Sequence, residues 1–205
     1  MKDFMNILNN RKNTKEFNPS IEIPKEDIEN IISLAQKSPS SWNLQHWKFV
    51  IFDSKTSKKK LFPISYNQKA ILDSSVTIAI LADTEADKNF DYVYDPLVGK
   101  SLSKDIRDRL KNQVSKSFDD EEWGVVNSYE DAFINSAMCA ITLVYAAEYY
   151  NYDTGIIGGF SREDFKEEFS ISNRYIPLVL IPIGRKSDYP HESTRFKLKN
   201  STIWL

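Results

Sequence analysis

Four short polar stretches hold the residue types that could do chemistry. Residues 11–15, Arg-Lys-Asn-Thr-Lys, group three cations around an amide and a hydroxyl. Arginine offers a forked pair of donors and lysine a mobile charge. The set suits a phosphate, although a solvated basic turn uses the same residues. Residues 38–47, Ser-Pro-Ser-Ser-Trp-Asn-Leu-Gln-His-Trp, put turn and amide chemistry between a helical pattern and an apolar strand pattern. Asn43 and Gln45 each present a donor and an acceptor to a polar ligand edge, and a plain connecting loop draws on the same residues. In residues 66–75 Asn67 opens a short helical pattern, either as a helix cap or as an amide turned to a ligand. Residues 155–161, Gly-Ile-Ile-Gly-Gly-Phe-Ser, hold three of the six glycines. The adjacent Gly158 and Gly159 would let a backbone N–H approach a ligand with no side chain between.

None of these stretches is a complete catalytic constellation. The glycine fingerprints of dinucleotide folds and P-loops are absent, as are G-x-S-x-G and H-E-x-x-H. The single cysteine, Cys139, excludes an intrachain disulfide, and with only His46 and His191 beside it a four-ligand zinc site is not expected. If the chain is an enzyme, a bound cofactor is expected to carry the reactivity while the protein holds it.

The elements that must position these stretches follow from the rest of the chain. Its 205 residues suit one domain with a substantial core. At 41% hydrophobic and 27% charged residues, with a net charge of −2, it lacks the positive excess that phosphate-driven nucleic-acid binding needs. The polar and acidic residues of the first 17 positions argue against an export segment. The longest apolar stretch, 132–150, is interrupted by Asn135, Ser136, Thr142 and Glu148, which favours a buried or interface helix over a membrane span. A cytoplasmic location is the expectation.

Ile28, Ile31, Ile32 and Ala35 recur at helical spacing after Pro24, and Pro39 helps to stop that helix. Residues 47–53 and 76–83 read as strands, the second apolar enough to be central. Residues 174–184 read as a third strand, whose Pro177 and Pro182 predict an edge or an interruption. Leu102, Ile106, Leu110 and Val114 predict one face of a helix over 99–118. Ser161 and Asp164 predict the start of another helix. The order of elements suggests α+β, or a sheet wrapped by helices in three layers.

Taken in this order, the stretches resemble the FMN-dependent nitroreductase family along nearly the whole chain. The resemblance rests on five segments: Arg11 to Phe17, Ala35 to Trp47, Asn67-Gln68, Gly158-Gly159-Phe160 and Ser193 to Phe196. It implies a three-layer α-β-α fold with a mixed, mostly antiparallel central sheet. A single domain, 1–205, would carry a variable excursion at about 85–126 over the active site and a tail from about 188 wrapping a partner subunit. It implies a homodimer with FMN at the interface and NADH or NADPH as electron donor. Arg11 and Arg195 would hold the phosphate, with Lys12 and Asn13 beside them. Lys15 and Asn67 would face the pyrimidine side of the flavin. Pro39, Ser40, Ser41 and Asn43 would reach the partner's flavin, and Gly159, next to Gly158, would point its N–H toward flavin N5.

This sequence departs from the family pattern at several places. His46 stands where proline is usual, Asn13 where serine is common, and Ser193 and Ala70 where some members carry lysine. Gly158 places the chain in the branch with a Gly-Gly-Phe turn. The implied activity is hydride uptake from NAD(P)H and delivery of two electrons to a nitroaromatic, a quinone or a similar flat small molecule. Tyr92, Tyr94, Phe118 and Trp123 are candidates to stack on it. Dehydrogenation or dehalogenation on the same scaffold, or FMN storage without catalysis, remain open alternatives.

Overall fold

The strand read at 76–83 is the centre of the molecule because both of its faces are covered. In the computed structural model, which describes residues 3–118, 128–187 and 193–205, this strand (β2, Val76–Asp83) is buried at all eight positions. It pairs with β1 (Trp47–Phe52) on one side and β4 (Tyr175–Gly184) on the other, and β4 pairs in turn with the two-residue β3 (Asp153–Thr154). The sheet order is β1-β2-β4-β3. Every strand pairing in this sheet is antiparallel, so the parallel component of the expected mixed sheet is not seen in it among the described residues.

Alternate side chains of a strand leave on opposite faces, and the two faces of β2 feed two cores. Val76, Ile78 and Ile80 pack with Val179, Ile181 and Ile183 under α2 (Lys25–Ala35) and α7 (Ser128–Tyr149). Ala79, Leu81 and Leu180 pack with Phe52 under α3 (Lys55–Ile64), α4 (Lys69–Asp73) and α8 (Arg162–Glu168). The α+β, three-layer expectation is met. Phe165 anchors the second core edge-to-face against Phe52, Phe160 and Phe169. As expected, the Ser161 hydroxyl caps α8 by accepting the Asp164 N–H at 3.2 Å.

β4 is an interior strand, which corrects the edge placement. The expected interruption is present at Pro177, where the ladder to β2 skips Leu178 between the Ile80–Val179 and Leu81–Pro177 pairs, while Pro182 stays in register opposite Thr77. On the flank that β3 is too short to cover, the Arg162 Nε donates to the Pro177 carbonyl at 2.8 Å. The remaining helices are α1 (Phe4–Asn10), the short α5 (Phe90–Tyr94) and α6 (Lys104–Phe118). Of the predicted stripe on α6, Val114 is buried and Leu102 lies before the helix begins. Ala86, Phe90 and Val114 form a third core with Leu44, tying α5 and α6 to the loop that precedes β1.

Among the described residues α7 alone has the length and hydropathy of a membrane span, and half of its apolar window is buried in the core. Cys139, in the middle of α7, is fully buried, and burial pushes its thiol up to about 12. At pH 8 only about one thiol in ten thousand would be ionised. Native protein should therefore resist iodoacetamide and label only after unfolding, as read by intact mass.

Candidate active site

A cleft of about 250 Å³ lies between three segments that are far apart in sequence: Asn13, Thr14 and Lys15; Gln68, Lys69 and Ala70; and Ile156 and Ile157. Backbone pairing brings the first and third together, the Thr14 N–H donating to Thr154 O at 2.9 Å. Asn13 Oδ1 accepts the Ile156 N–H at 2.6 Å, which leaves the Asn13 amide nitrogen as a donor toward a ligand. Gly155 is required by this approach, since a Cβ there would sit 2.5 Å from the Thr14 carbonyl oxygen.

The second segment is fixed by Gln68, whose Nε2 donates to Gly159 O at 2.9 Å and to Ser65 O at 3.0 Å. Sequence reasoning placed Gln68 in a motif without giving it this task. Asn67 is not a helix cap. Gln68 occupies the cap position of α4, and Tyr66 and Asn67 both have left-handed backbones, φ 55° and 57°. Two such residues in succession cost about 1–3 kcal/mol each and persist only where the surroundings impose them.

Gly158 and Gly159 are both exposed and neither has a left-handed φ, so the backbone does not demand glycine there. A Cβ at either would meet no atom within 4 Å. The space in front of this turn is open. Arg11 and Lys12 are half-buried and Lys15 is exposed, and none of the three has an ion-pair partner among the described residues. Of the three, Lys15 lines the cleft, where Lys69 joins it; Arg11, Lys12, Asn67, Gly158 and Gly159 are not among the residues that line it. Two lysines beside an amide suit an anionic ligand.

The other expected contacts lie away from this cleft. Residues 38–46 run along α7: the Ser38 Oγ donates to Thr142 Oγ1 at 2.7 Å, the Ser41 N–H to Asn135 Oδ1 at 2.8 Å and the Ser136 Oγ to His46 O at 2.6 Å. Ser40 Oγ accepts the Gln45 N–H at 3.0 Å. Pro39, Ser41 and Asn43 are exposed, and none of them lines the cleft of their own chain. Trp42, Asn43 and Gln45 all have left-handed backbones. The Tyr94 hydroxyl donates to the Trp42 carbonyl at 2.9 Å, and Phe118 stacks on the His46 ring with centroids 6.2 Å apart. Trp123 lies outside the described residues. Arg195 is also absent from the cleft walls. It is exposed in the tail, where its Nη1 donates to Ser193 Oγ and Thr194 O.

Asp131, at the start of α7, gathers the loop's polar groups. Its Oδ1 accepts from Ser41 Oγ at 2.7 Å and Asn135 Nδ2 at 2.8 Å, and its Oδ2 lies 2.9 Å from His46 Nε2. His46 Nε2 is within hydrogen-bonding distance of the carboxylate, although the ring nitrogen is not well aligned on it. Burial raises the Asp131 pKa, but the contacts with His46, Ser41 and Asn135 outweigh it and hold the carboxyl below its ordinary range. Ser41 and His46 both meet the carboxylate rather than each other, so this is not a nucleophile–base pair.

An antiparallel sheet with helices on both faces, a basic turn docked against residues 154–156 and an amide-rich loop along the long helix together define the class. The chain belongs to the nitroreductase family, whose model matches residues 8–185. YodC of Bacillus subtilis (strain 168), provisionally named an NAD(P)H nitroreductase, is 38% identical over 206 residues spanning all of both chains. A provisionally named nitroreductase from Exiguobacterium sibiricum 255-15, solved in complex with FMN, superposes with a TM-score of 0.92 at 29% identity. That match covers 100% of this chain and 98% of the other. A provisionally named NAD(P)H:FMN oxidoreductase of Staphylococcus epidermidis ATCC 12228 superposes at 0.93 with 28% identity, covering 100% and 97%.

Proposed function

We propose that the chain is an FMN-dependent oxidoreductase that takes two electrons from NADH or NADPH and passes them to a flat, electron-poor small molecule such as a nitroaromatic or a quinone. The observation that carries the reading is the cleft lined by the Asn13 amide, Lys15, Gln68 and Lys69, next to the turn at Gly158 and Gly159 that Gln68 holds through the Gly159 carbonyl. Bound FMN supplies two-electron chemistry at N5, accepting hydride from the nicotinamide and returning electrons to the acceptor. The chain's own task is to bind and orient. Arg11, Lys12 and Asn13 suit the phosphate end, and Lys15 and Asn67 the pyrimidine edge. The Gly159 N–H is the donor available to N5. Such positioning is the chief protein contribution to a hydride transfer.

The dimer belongs to the same proposal. Phe4, Met5 and Leu8 on α1 are exposed beside Ile134 and Ile141 on α7, and Phe4 meets Tyr145 edge-on at 6.1 Å. This apolar surface joins two helices and suits burial against a second copy. β1 is an edge strand among the described residues, and the tail exposes Phe196, Leu198, Ile203 and Trp204. A tail laid on the partner would cover those side chains. The same dimer would carry Pro39, Ser40, Ser41 and Asn43 to the partner subunit's flavin and bring Arg195 to a phosphate.

Arg195→Ala tests the tail's share. It should raise the FMN dissociation constant about tenfold, as expected for one lost charge-assisted hydrogen bond of about 1.5 kcal/mol, while sedimentation still reports a dimer. An unchanged constant removes Arg195 from the phosphate site.

A further inference from the structure

His46 stands where the family pattern has proline, and its environment suggests why a histidine is kept there. The side chain is fully buried. The backbone needs no help from it, because the His46 carbonyl already accepts from Ser136 Oγ at 2.6 Å and from the Asp83 N–H at 2.9 Å. What the imidazole adds is a link at 2.9 Å to Asp131 Oδ2, while the other oxygen of that carboxylate accepts from Ser41 Oγ at 2.7 Å. One carboxylate therefore holds both ends of the segment 41–46, and between those ends lie the left-handed Trp42, Asn43 and Gln45. A backbone so far from its preferred conformations keeps its shape only if its ends are pinned.

We propose that His46 and Asp131 are positioning residues that latch residues 41–46 into the shape that presents Pro39, Ser40 and Asn43 to the partner subunit's flavin. The proposal rests on the FMN reading above. Phe118 stacks on the imidazole, so the latch also joins the end of the excursion helix α6 to the loop. His46 and Asp131 touch no reacting atom and act through the loop. Glutamine can place an N–H near the position of imidazole Nε2, whereas leucine matches the volume without the donor. The link to Asp131 therefore separates the two substitutions.

The test uses the full-length apoprotein of the wild type, His46→Leu, His46→Gln, Asp131→Ala and the His46→Leu/Asp131→Ala double variant. Hydrogen exchange of the 41–46 amides reports the latch itself, and FMN titration by fluorescence reports its consequence. The latch predicts at least tenfold faster exchange and at least tenfold weaker FMN binding in His46→Leu. In His46→Gln both should return to within about threefold of wild type. The double variant should be no worse than the poorer single, the non-additivity of two residues in one contact. Equal losses in the leucine and glutamine variants, additive losses in the double variant, or unchanged exchange at 41–46 would each overturn the proposal. If His46→Leu does not fold, Asp131→Ala carries the comparison, because Asp131 is only half-buried. A wild type that takes up no FMN would sink the flavin reading, while the exchange data would still decide whether the latch exists.

Discussion

Replacing Gly159 with valine should abolish tight FMN binding and leave the protein folded. A Cβ at this position meets no protein atom within 4 Å, and the φ angle is one that L-residues adopt. The apoprotein should therefore change in stability by no more than about 1 kcal/mol, the range of surface substitutions and of altered unfolded-state entropy. The added methyl groups would occupy the open space that the proposed flavin needs. The FMN dissociation constant should rise at least 100-fold, about 2.7 kcal/mol or more. Gly155→Ala, four residues earlier, is the counterpart: its Cβ would fall 2.5 Å from the Thr14 carbonyl oxygen, so it should lower the melting temperature of the apoprotein itself. Denaturation and flavin titration of the two variants separate a glycine kept for a ligand from one kept for packing. A Gly159→Val protein that binds FMN like wild type would remove this turn from the site.

The largest stability loss should follow Arg174→Ala. Arg174 donates from Nε to Asp83 Oδ1 at 2.7 Å and from Nη2 to Asp83 Oδ2 at 2.6 Å, and Nη2 also reaches Asn89 Oδ1 at 2.7 Å. Asp83 is only 2% exposed at the end of β2. Removing the guanidinium leaves its carboxylate buried with weaker partners, the Glu85 N–H at 3.1 Å and Asn89 Nδ2 at 3.2 Å. Breaking a buried ion pair from one side costs about 3–5 kcal/mol. Urea denaturation at one fixed protein concentration measures it, since the apparent stability of the proposed dimer would depend on concentration. Lys60→Ala removes the exposed contact with Glu168 and should cost no more than about 1 kcal/mol. Equal losses in the two variants would show that the Asp83 site is not the buried pair described.

Much of the layer arrangement was legible because it rests on side-chain periodicity. β2 was read at its observed bounds from an unbroken apolar run, and Ser161 marked the start of α8. The misreadings have local causes. Pro177 and Pro182 signalled an edge or an interruption; the strand is interior, and the interruption is the bulge at Leu178, while Pro182 pairs in register with Thr77. β3 has two residues and no periodicity to read, and α3, with four lysines in its ten residues, shows little apolar pattern. In the site, the residue types of the basic turn and the Gly-Gly turn pointed to a ligand, but nothing local showed that the basic turn docks on residues 154–156. Asn13 accepting the Ile156 N–H joins positions 143 apart, and no local pattern encodes that. The Gln68 contact with Gly159 and the Asp131 contact with His46 were hidden for the same reason.

The most direct test of the central claim is a visible spectrum of the purified or FMN-reconstituted protein before and after anaerobic addition of NADH or NADPH. The account predicts a flavin absorption band at about one FMN per chain, bleached by at least one of the two nicotinamides and restored on adding a quinone or a nitroaromatic. A protein that stays yellow with both donors would be a flavin store and not an oxidoreductase. A colourless protein that cannot be reconstituted with FMN would contradict the account outright.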